Sequence, residues 1–226
     1  VYNVLSFGTA VMFGAFVYFL TQIKSVREEY RSGVAVSAVV VGIAGYHYYR
    51  IWSGFSVGEM NEGYRYADWL ITVPLLIVEL LIVLGVASAL RKNLMWKLVP
   101  ASILMIGLGY PGEISSSTGT KWVFWIMAII PFVYILYVLY GQLQEAQKRE
   151  TGAVATSIKN ATLVLLSTWC VYPIAYLFPI FDAESGTLET LRQVGYTFAD
   201  ITAKGLYGLM ILSIAKARST ESKSSS

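Results

Sequence analysis

Two residues in the last third of the chain carry the first chemical signal. Asp200 and Lys204 are four apart in the run Tyr196-Thr-Phe-Ala-Asp-Ile-Thr-Ala-Lys-Gly-Leu-Tyr-Gly-Leu-Met-Ile-Leu. On a helix they share one face. Lys204 stands in the middle of an apolar stretch, too deep for its chain to reach either end of that stretch easily. One reading is a structural ion pair, although desolvation offsets much of the attraction of a buried pair. The other is attachment. An amine in a dry site can give up its proton and act as a nucleophile toward an aldehyde, forming a Schiff base. This segment alone leaves both readings open.

A second set lies between Arg65 and Glu79. Asp68, Thr72 and Glu79 are spaced i, i+4 and i+11. Eleven residues make three helical turns plus about 20°, so the three share a face, with the two carboxyls about 16 Å apart along the axis. Two carboxyls that far apart on one face suit a proton relay; two unrelated polar side chains facing a bundle interior are the plainer alternative. Arg65, one turn before Asp68, either snorkels to an interface or balances the carboxylates. Trp69 follows Asp68, and Trp169, Tyr172 and Tyr176 line up along one side of a later segment. Such aromatics form interface belts or the walls of a slot for a flat apolar cofactor. Pro173 lies among them and removes a backbone hydrogen bond. The resulting kink serves as a hinge or only as packing.

The elements that hold these residues must be apolar. The 226 residues are 56% hydrophobic and 14% charged, with a net charge of +3. A soluble domain carries about 25% charged residues, so a soluble enzyme and a disordered chain are both excluded. The small charge gives no footprint for nucleic acid. A single cysteine, Cys170, and a single histidine, His47, provide neither a disulfide framework nor a metal cluster. Seven apolar blocks fall at 2–23, 33–52, 64–87, 94–110, 120–143, 154–179 and 188–215. Each is long enough to cross a bilayer, although the fourth is short. The fold class is therefore all-α: a seven-transmembrane-helix bundle forming one domain over 1–218, with a polar, disordered tail over 219–226. The first block has no basic leader and reads as a true span rather than a signal peptide. The chain starts at Val1 rather than Met, and native residues are expected to precede it.

Charge sets the expected orientation. Placing the N-terminus outside puts 12 of the 17 Lys and Arg in the loops and tail of the cytoplasmic side: Lys24, Arg27, Arg31, Arg91, Lys92, Lys97, Lys148, Arg149, Lys159, Lys216, Arg218 and Lys223. Arg50, Lys121 and Arg192 fall outside. That asymmetry follows the positive-inside rule.

With these residues in view, the chain resembles the microbial rhodopsins along almost its whole length, in particular the proteorhodopsin and xanthorhodopsin-like bacterial light-driven proton pumps. The resemblance rests on Arg65-Tyr-Ala-Asp-Trp-Leu-Ile-Thr-Val-Pro-Leu-Leu-Ile-Val-Glu79, on Asp200-Ile-Thr-Ala-Lys204, on Tyr46-His-Tyr-Tyr-Arg50 and on Leu108-Gly-Tyr-Pro-Gly-Glu-Ile114. It implies a non-enzymatic outward proton pump in a bacterial inner membrane, with all-trans retinal bound to Lys204 as a protonated Schiff base. It further implies roles for single residues. Asp68 is the counterion and proton acceptor, Asp200 the second counterion, and Arg65 a partial neutraliser. Thr72 hydrogen-bonds Asp68, and Glu79 is the proton donor. Trp69, Leu76, Trp169, Tyr172, Pro173, Tyr176 and Tyr48 belong to the retinal pocket, with leucine at 76 implying green absorption. His47 pairs with Asp68 and tunes it. A homo-oligomer is expected by resemblance.

The triplet Asp68, Thr72 and Glu79 suits a proton pump, because family chloride pumps lack the first carboxylate, sodium pumps carry a different triplet, and sensory relatives usually lack the donor. A photosensory rhodopsin signalling through a partner is the alternative. Two features depart from the wider family. Trp125 stands where some xanthorhodopsin-like pumps have the glycine that admits a carotenoid, so no antenna of that kind is expected. Arg192 stands where an archaeal pump would carry a glutamate of its outer pair, and Glu59, Glu62, Glu113, Glu184 and Glu189 read as solvated carboxylates of the outer loops.

Overall fold

The structure is a computed structural model that describes residues 1–182 and 185–224. Seven helices long and apolar enough to cross a membrane account for nearly all of it: α1 Tyr2–Ser25, α2 Glu28–Ser56, α3 Gly63–Val83, α4 Ser88–Glu113, α5 Thr118–Arg149, α6 Gly152–Phe181 and α7 Gly186–Thr220. All backbone groups of such helices are satisfied within the segment, which is what an apolar solvent demands.

Local chemistry marks several ends. Ser117 and Ser185 cap α5 and α7, their hydroxyls accepting from Thr120 N and Leu188 N, as N-cap serines do. Lys148 and Arg149 close α5 at its negative dipole end. α3 stops at Val83, four residues short of the sequence reading. Gly85 follows at φ +65°, a left-handed conformation open to glycine. α4 is longer than its 94–110 core, because the polar stretches on both sides continue the helix. The last helix also runs past its apolar core. Its backbone is helical to Ser224, and Ser219, which the sequence reading assigns to the disordered tail, is buried.

Two helices depart from regular geometry. In α6 the helix is interrupted at Cys170, three residues before Pro173, whose missing N–H leaves the Trp169 carbonyl without its helical donor. In α7 the segment Ile201–Leu206 is a π-helix, and Lys204 lies inside it.

Burial is uneven. In their apolar windows α3 and α7 are 61% buried, whereas α4 and α5 are 22% and 17% buried. The two helices that carry all five intramembrane ionisable residues of the sequence reading are therefore the inner ones. Large apolar side chains such as Phe7, Ile130 and Tyr137 point outward, as a lipid-facing surface requires.

Candidate functional site

α3 and α7 bring Asp68, Asp200 and Lys204 together. Lys204 Nζ lies 2.5 Å from Asp68 Oδ2 and 2.7 Å from Asp200 Oδ1. All three are essentially unexposed. The two carboxylates are not equivalent. Asp200 Oδ1 also accepts from Trp69 Nε1 at 3.0 Å and from Tyr172 OH at 2.8 Å. Its Oδ2 accepts from Tyr48 OH at 2.7 Å and from Arg65 Nη1 at 3.4 Å. Five donors fill the roughly four acceptor positions of one carboxylate. Among the described residues, Asp68 accepts only from Lys204, and its Oδ1 has no hydrogen-bond partner.

The flanking residues sort themselves around this pair. Arg65 reaches Tyr48 OH at 3.0 Å as well as Asp200. Tyr48 therefore stands behind Asp200 and is not among the cavity-lining residues. The Thr72 hydroxyl donates at 2.9 Å to the main-chain oxygen of Asp68, not to its carboxylate, which is the usual back-bond of a helical threonine to the preceding turn. His47 faces Asp68 with Nδ1 4.0 Å from the unpartnered Oδ1. That separation is too long for a hydrogen bond. The same nitrogen lies 3.0 Å from the Ile43 carbonyl and donates there.

Beyond Lys204 opens an apolar cavity lined by Trp69, Leu76, Met105, Trp125, Trp169, Tyr172, Pro173, Tyr176 and Tyr196, with Lys204 itself on the wall. Tyr172 and Tyr196 meet Trp69 edge-on, with ring centroids 5.2 Å and 5.1 Å away, so its indole is fixed between them. Trp125 donates its indole N–H to the Pro173 carbonyl at 3.0 Å. This ties α5 to α6 just past the break.

Glu79 sits farther along α3, fully buried. It accepts from Ser37 Oγ at 2.8 Å through Oε2, and its Oε1 has no partner among the described residues. No cation reaches it among the described residues. Among those residues there is also no group of His, Cys, Asp and Glu able to hold a metal ion.

Comparison with known proteins gives the context. Residues 3–218 match the family model described as bacteriorhodopsin-like protein. The chain belongs to this family. It is 30% identical to the green-light absorbing proteorhodopsin of the gamma-proteobacterium EBAC31A08, over 92% of this chain and 83% of that one. It is 31% identical to archaerhodopsin-3 of Halorubrum sodomense, over 92% and 82%. Among solved structures, xanthorhodopsin, a light-driven ion pump with dual chromophore, superposes with a TM-score of 0.90 at 44% identity, covering 98% of this chain and 94% of that one. Thermophilic rhodopsin superposes with a TM-score of 0.91 at 41% identity, with the same coverage.

A microbial rhodopsin implies a retinal chromophore, and the residues of this rhodopsin suit one. The cavity is apolar and aromatic, as a polyene needs. Its one amine is Lys204, and that amine faces two carboxylates able to balance a cation in a dry site.

Another cluster lies past Arg65, and the sequence reading missed it. Glu113 is not a solvated loop carboxylate. It is buried at the end of α4, bound to the Arg192 guanidinium and accepting from Tyr66 OH and Tyr196 OH, both at 3.0 Å. Arg192 also meets Glu189 at 2.7 Å and Glu62 at 3.4 Å. Glu62 in turn accepts from Gln193, whose amide oxygen takes Arg65 Nη2 at 2.8 Å. Glu62 is thus only partly exposed, and polar contacts run unbroken from Lys204 through Asp200, Arg65 and Gln193 to Glu62. Glu59 is exposed as expected, and Glu184 lies outside the described residues. One signal was available. Arg192, Tyr196, Asp200 and Lys204 are four apart in succession, a single stripe along α7.

Proposed function

We propose that this rhodopsin is a retinal-based, light-driven outward proton pump of a bacterial plasma membrane, with its N-terminus outside and its C-terminus in the cytoplasm. The observation that carries the proposal is the asymmetry between the carboxylates at Lys204. Asp200 has its acceptor positions filled, whereas Asp68 touches the same nitrogen with one oxygen left free. Only one of them has room for a proton.

Retinal, when bound to the Lys204 nitrogen, supplies absorption of visible light and a light-driven change of shape in the cavity. The protein does the rest. Trp69, Leu76, Trp169, Tyr172, Pro173 and Tyr176 confine the chromophore and exclude water. Asp200, fixed by Tyr48, Trp69, Tyr172 and Arg65, keeps a negative charge beside the Lys204 nitrogen. Asp68 receives the proton from that nitrogen. His47 adjusts Asp68 from 4.0 Å away, and Thr72 steadies the backbone beneath it. Glu79, buried with no cation, holds a proton at rest and returns it to the Lys204 nitrogen. The polar chain from Asp200 to Glu62 supports an exit at that end. The 12 basic residues of the loops and tail at the Glu79 end support a cytoplasmic entrance. The large indole of Trp125 on the cavity wall supports the absence of a carotenoid antenna. The resemblance supports a homo-oligomer in the bilayer.

The test is light-driven pH change in cells given all-trans retinal, in unbuffered salt, with and without a protonophore. Acidification abolished by the protonophore is expected. Alkalinisation that the protonophore enhances would mean another ion is moved. Coloured cells with no pH change would replace pumping with light sensing.

A further inference from the structure

A donor sealed inside the bundle raises the question of how it is refilled. Glu79 is fully buried, and between it and its end of the bundle lie buried apolar side chains that include Val83, Leu84 and Ala215. Beyond them, one turn of α7 binds all three loops at that end. Lys216 Nζ donates to Gln22 Oε1 in the last turn of α1 at 2.7 Å. The Ser219 hydroxyl accepts from Arg27 N of the α1–α2 connection at 2.9 Å and donates to its own helix at Ala215 O. Arg218 Nη2 donates to Leu84 O, just past α3, at 3.2 Å, and to Glu150 Oε1, between α5 and α6, at 2.6 Å.

The seat of Arg218 is built for it. Gly85 is left-handed, and a Cβ there would lie 2.7 Å from Arg218 Nη1, so any larger residue would push the guanidinium away. The guanidinium meets the negative end of α3, where backbone carbonyls lack helical donors. It joins that end to the α5–α6 connection, both at the Glu79 end of the bundle.

We propose that Arg218 is a positioning residue for proton uptake: its bonds to Leu84 and Glu150 hold the Glu79 end shut, and their release admits a proton to Glu79. The inference rests on the reading of Glu79 as the donor. It separates two steps. Return of a proton from Glu79 to the Lys204 nitrogen occurs inside the closed bundle and does not involve Arg218. Refilling of Glu79 from water requires the latch to open. The pair is partly exposed, with side chains 14% and 24% accessible, so its release is a modest barrier.

The experiment uses the full chain reconstituted with all-trans retinal, flash excitation, the visible band to follow the Lys204 nitrogen, and a pH-sensitive dye to follow uptake. Arg218→Gln and Glu150→Gln are each expected to speed uptake by up to about fivefold. The double variant should be no faster than Arg218→Gln, because Glu150→Gln breaks a contact that Arg218→Gln has already lost. Arg218→Lys keeps the charge and should stay near the parent rate. In all of them the visible-band recovery step should be unchanged, a separation that general loosening of the fold would not give. Uptake unchanged or slowed in both glutamine variants would overturn the proposal, and Glu150→Gln still decides it if Arg218→Gln does not fold. Glu79→Gln is run alongside. Return of the proton to Lys204 at the parent rate in that variant would remove the donor reading itself, whatever Arg218 does.

Discussion

Lys204 Nζ touches Asp68 Oδ2 at 2.5 Å, and among the described residues the other oxygen of that carboxylate, Oδ1, has no hydrogen-bond partner. The same amine touches Asp200, which four further donors surround. Replacing the two carboxylates should therefore give different failures. Asp68→Asn should bind retinal and remain folded, and should lose more than about nine-tenths of the light-driven pH change, since the site loses its proton acceptor. Asp200→Asn should damage the fold, because it leaves Arg65 and Lys204 facing one carboxylate fewer in a dry site. Breaking a buried pair costs about 3–5 kcal/mol. Thermal loss of the visible band measures the second effect and cell acidification the first. Equal stability of the two variants would contradict the asymmetry.

Among the described residues, Glu79 accepts one bond, from Ser37, and has no cation beside it. Glu79→Gln should slow return of the proton to the Lys204 nitrogen by roughly 10²-fold, the lower end of what a positioned acid contributes. Ser37→Ala should slow it far less. Flash photolysis at the visible band reads both. A parent-like rate in Glu79→Gln would contradict the donor role.

Glu113 and Arg192 form a buried pair with Tyr66 and Tyr196 as further donors. Arg192→Gln leaves Glu113 without its cation and should cost about 3 kcal/mol or more. Glu113→Gln should cost less, since Arg192 keeps Glu189 and Glu62. The double variant should recover part of the loss, and unfolding in detergent would show whether it does. Strict additivity of the two single losses would contradict the pairing.

His47 lies 4.0 Å from the free oxygen of Asp68, with its near nitrogen turned to the Ile43 carbonyl. If the ring acts on Asp68, titration of the visible band should give a different midpoint in His47→Asn than in the parent. The same midpoint in both would assign His47 a packing role.

Much of this site could be read from spacing, and the reasons are physical. Asp200 and Lys204, or Asp68 and Glu79, are fixed relative to each other by a single helix, and helical period is a local property. The depth of an ionisable residue in an apolar run is equally local, so Arg65, Asp68, Glu79, Asp200 and Lys204 stand out without any tertiary knowledge. What spacing does not carry is pairing across helices. Glu113 follows Tyr-Pro-Gly and is separated by Ile114 from three serines, which reads as a turn at the surface. Only the arrival of Arg192, Tyr66 and Tyr196 from α7 and α3 makes it a core residue. Thr72 shows a finer limit. Its position beside Asp68 was legible, but the choice between carboxylate and main-chain oxygen depends on a rotamer. The π-helix around Lys204 and the seat that Gly85 gives Arg218 depend on backbone detail that no residue pattern announced.

The most direct measurement is time-resolved infrared difference spectroscopy of the protonated carboxyl band that appears as the Lys204 nitrogen loses its proton. Asp68→Glu and Asp200→Glu, which keep a carboxyl with altered frequency, identify its origin. The band is expected to shift in Asp68→Glu and to stay in place in Asp200→Glu. A band that moves only in Asp200→Glu would mean that the crowded carboxylate takes the proton, which would contradict the account.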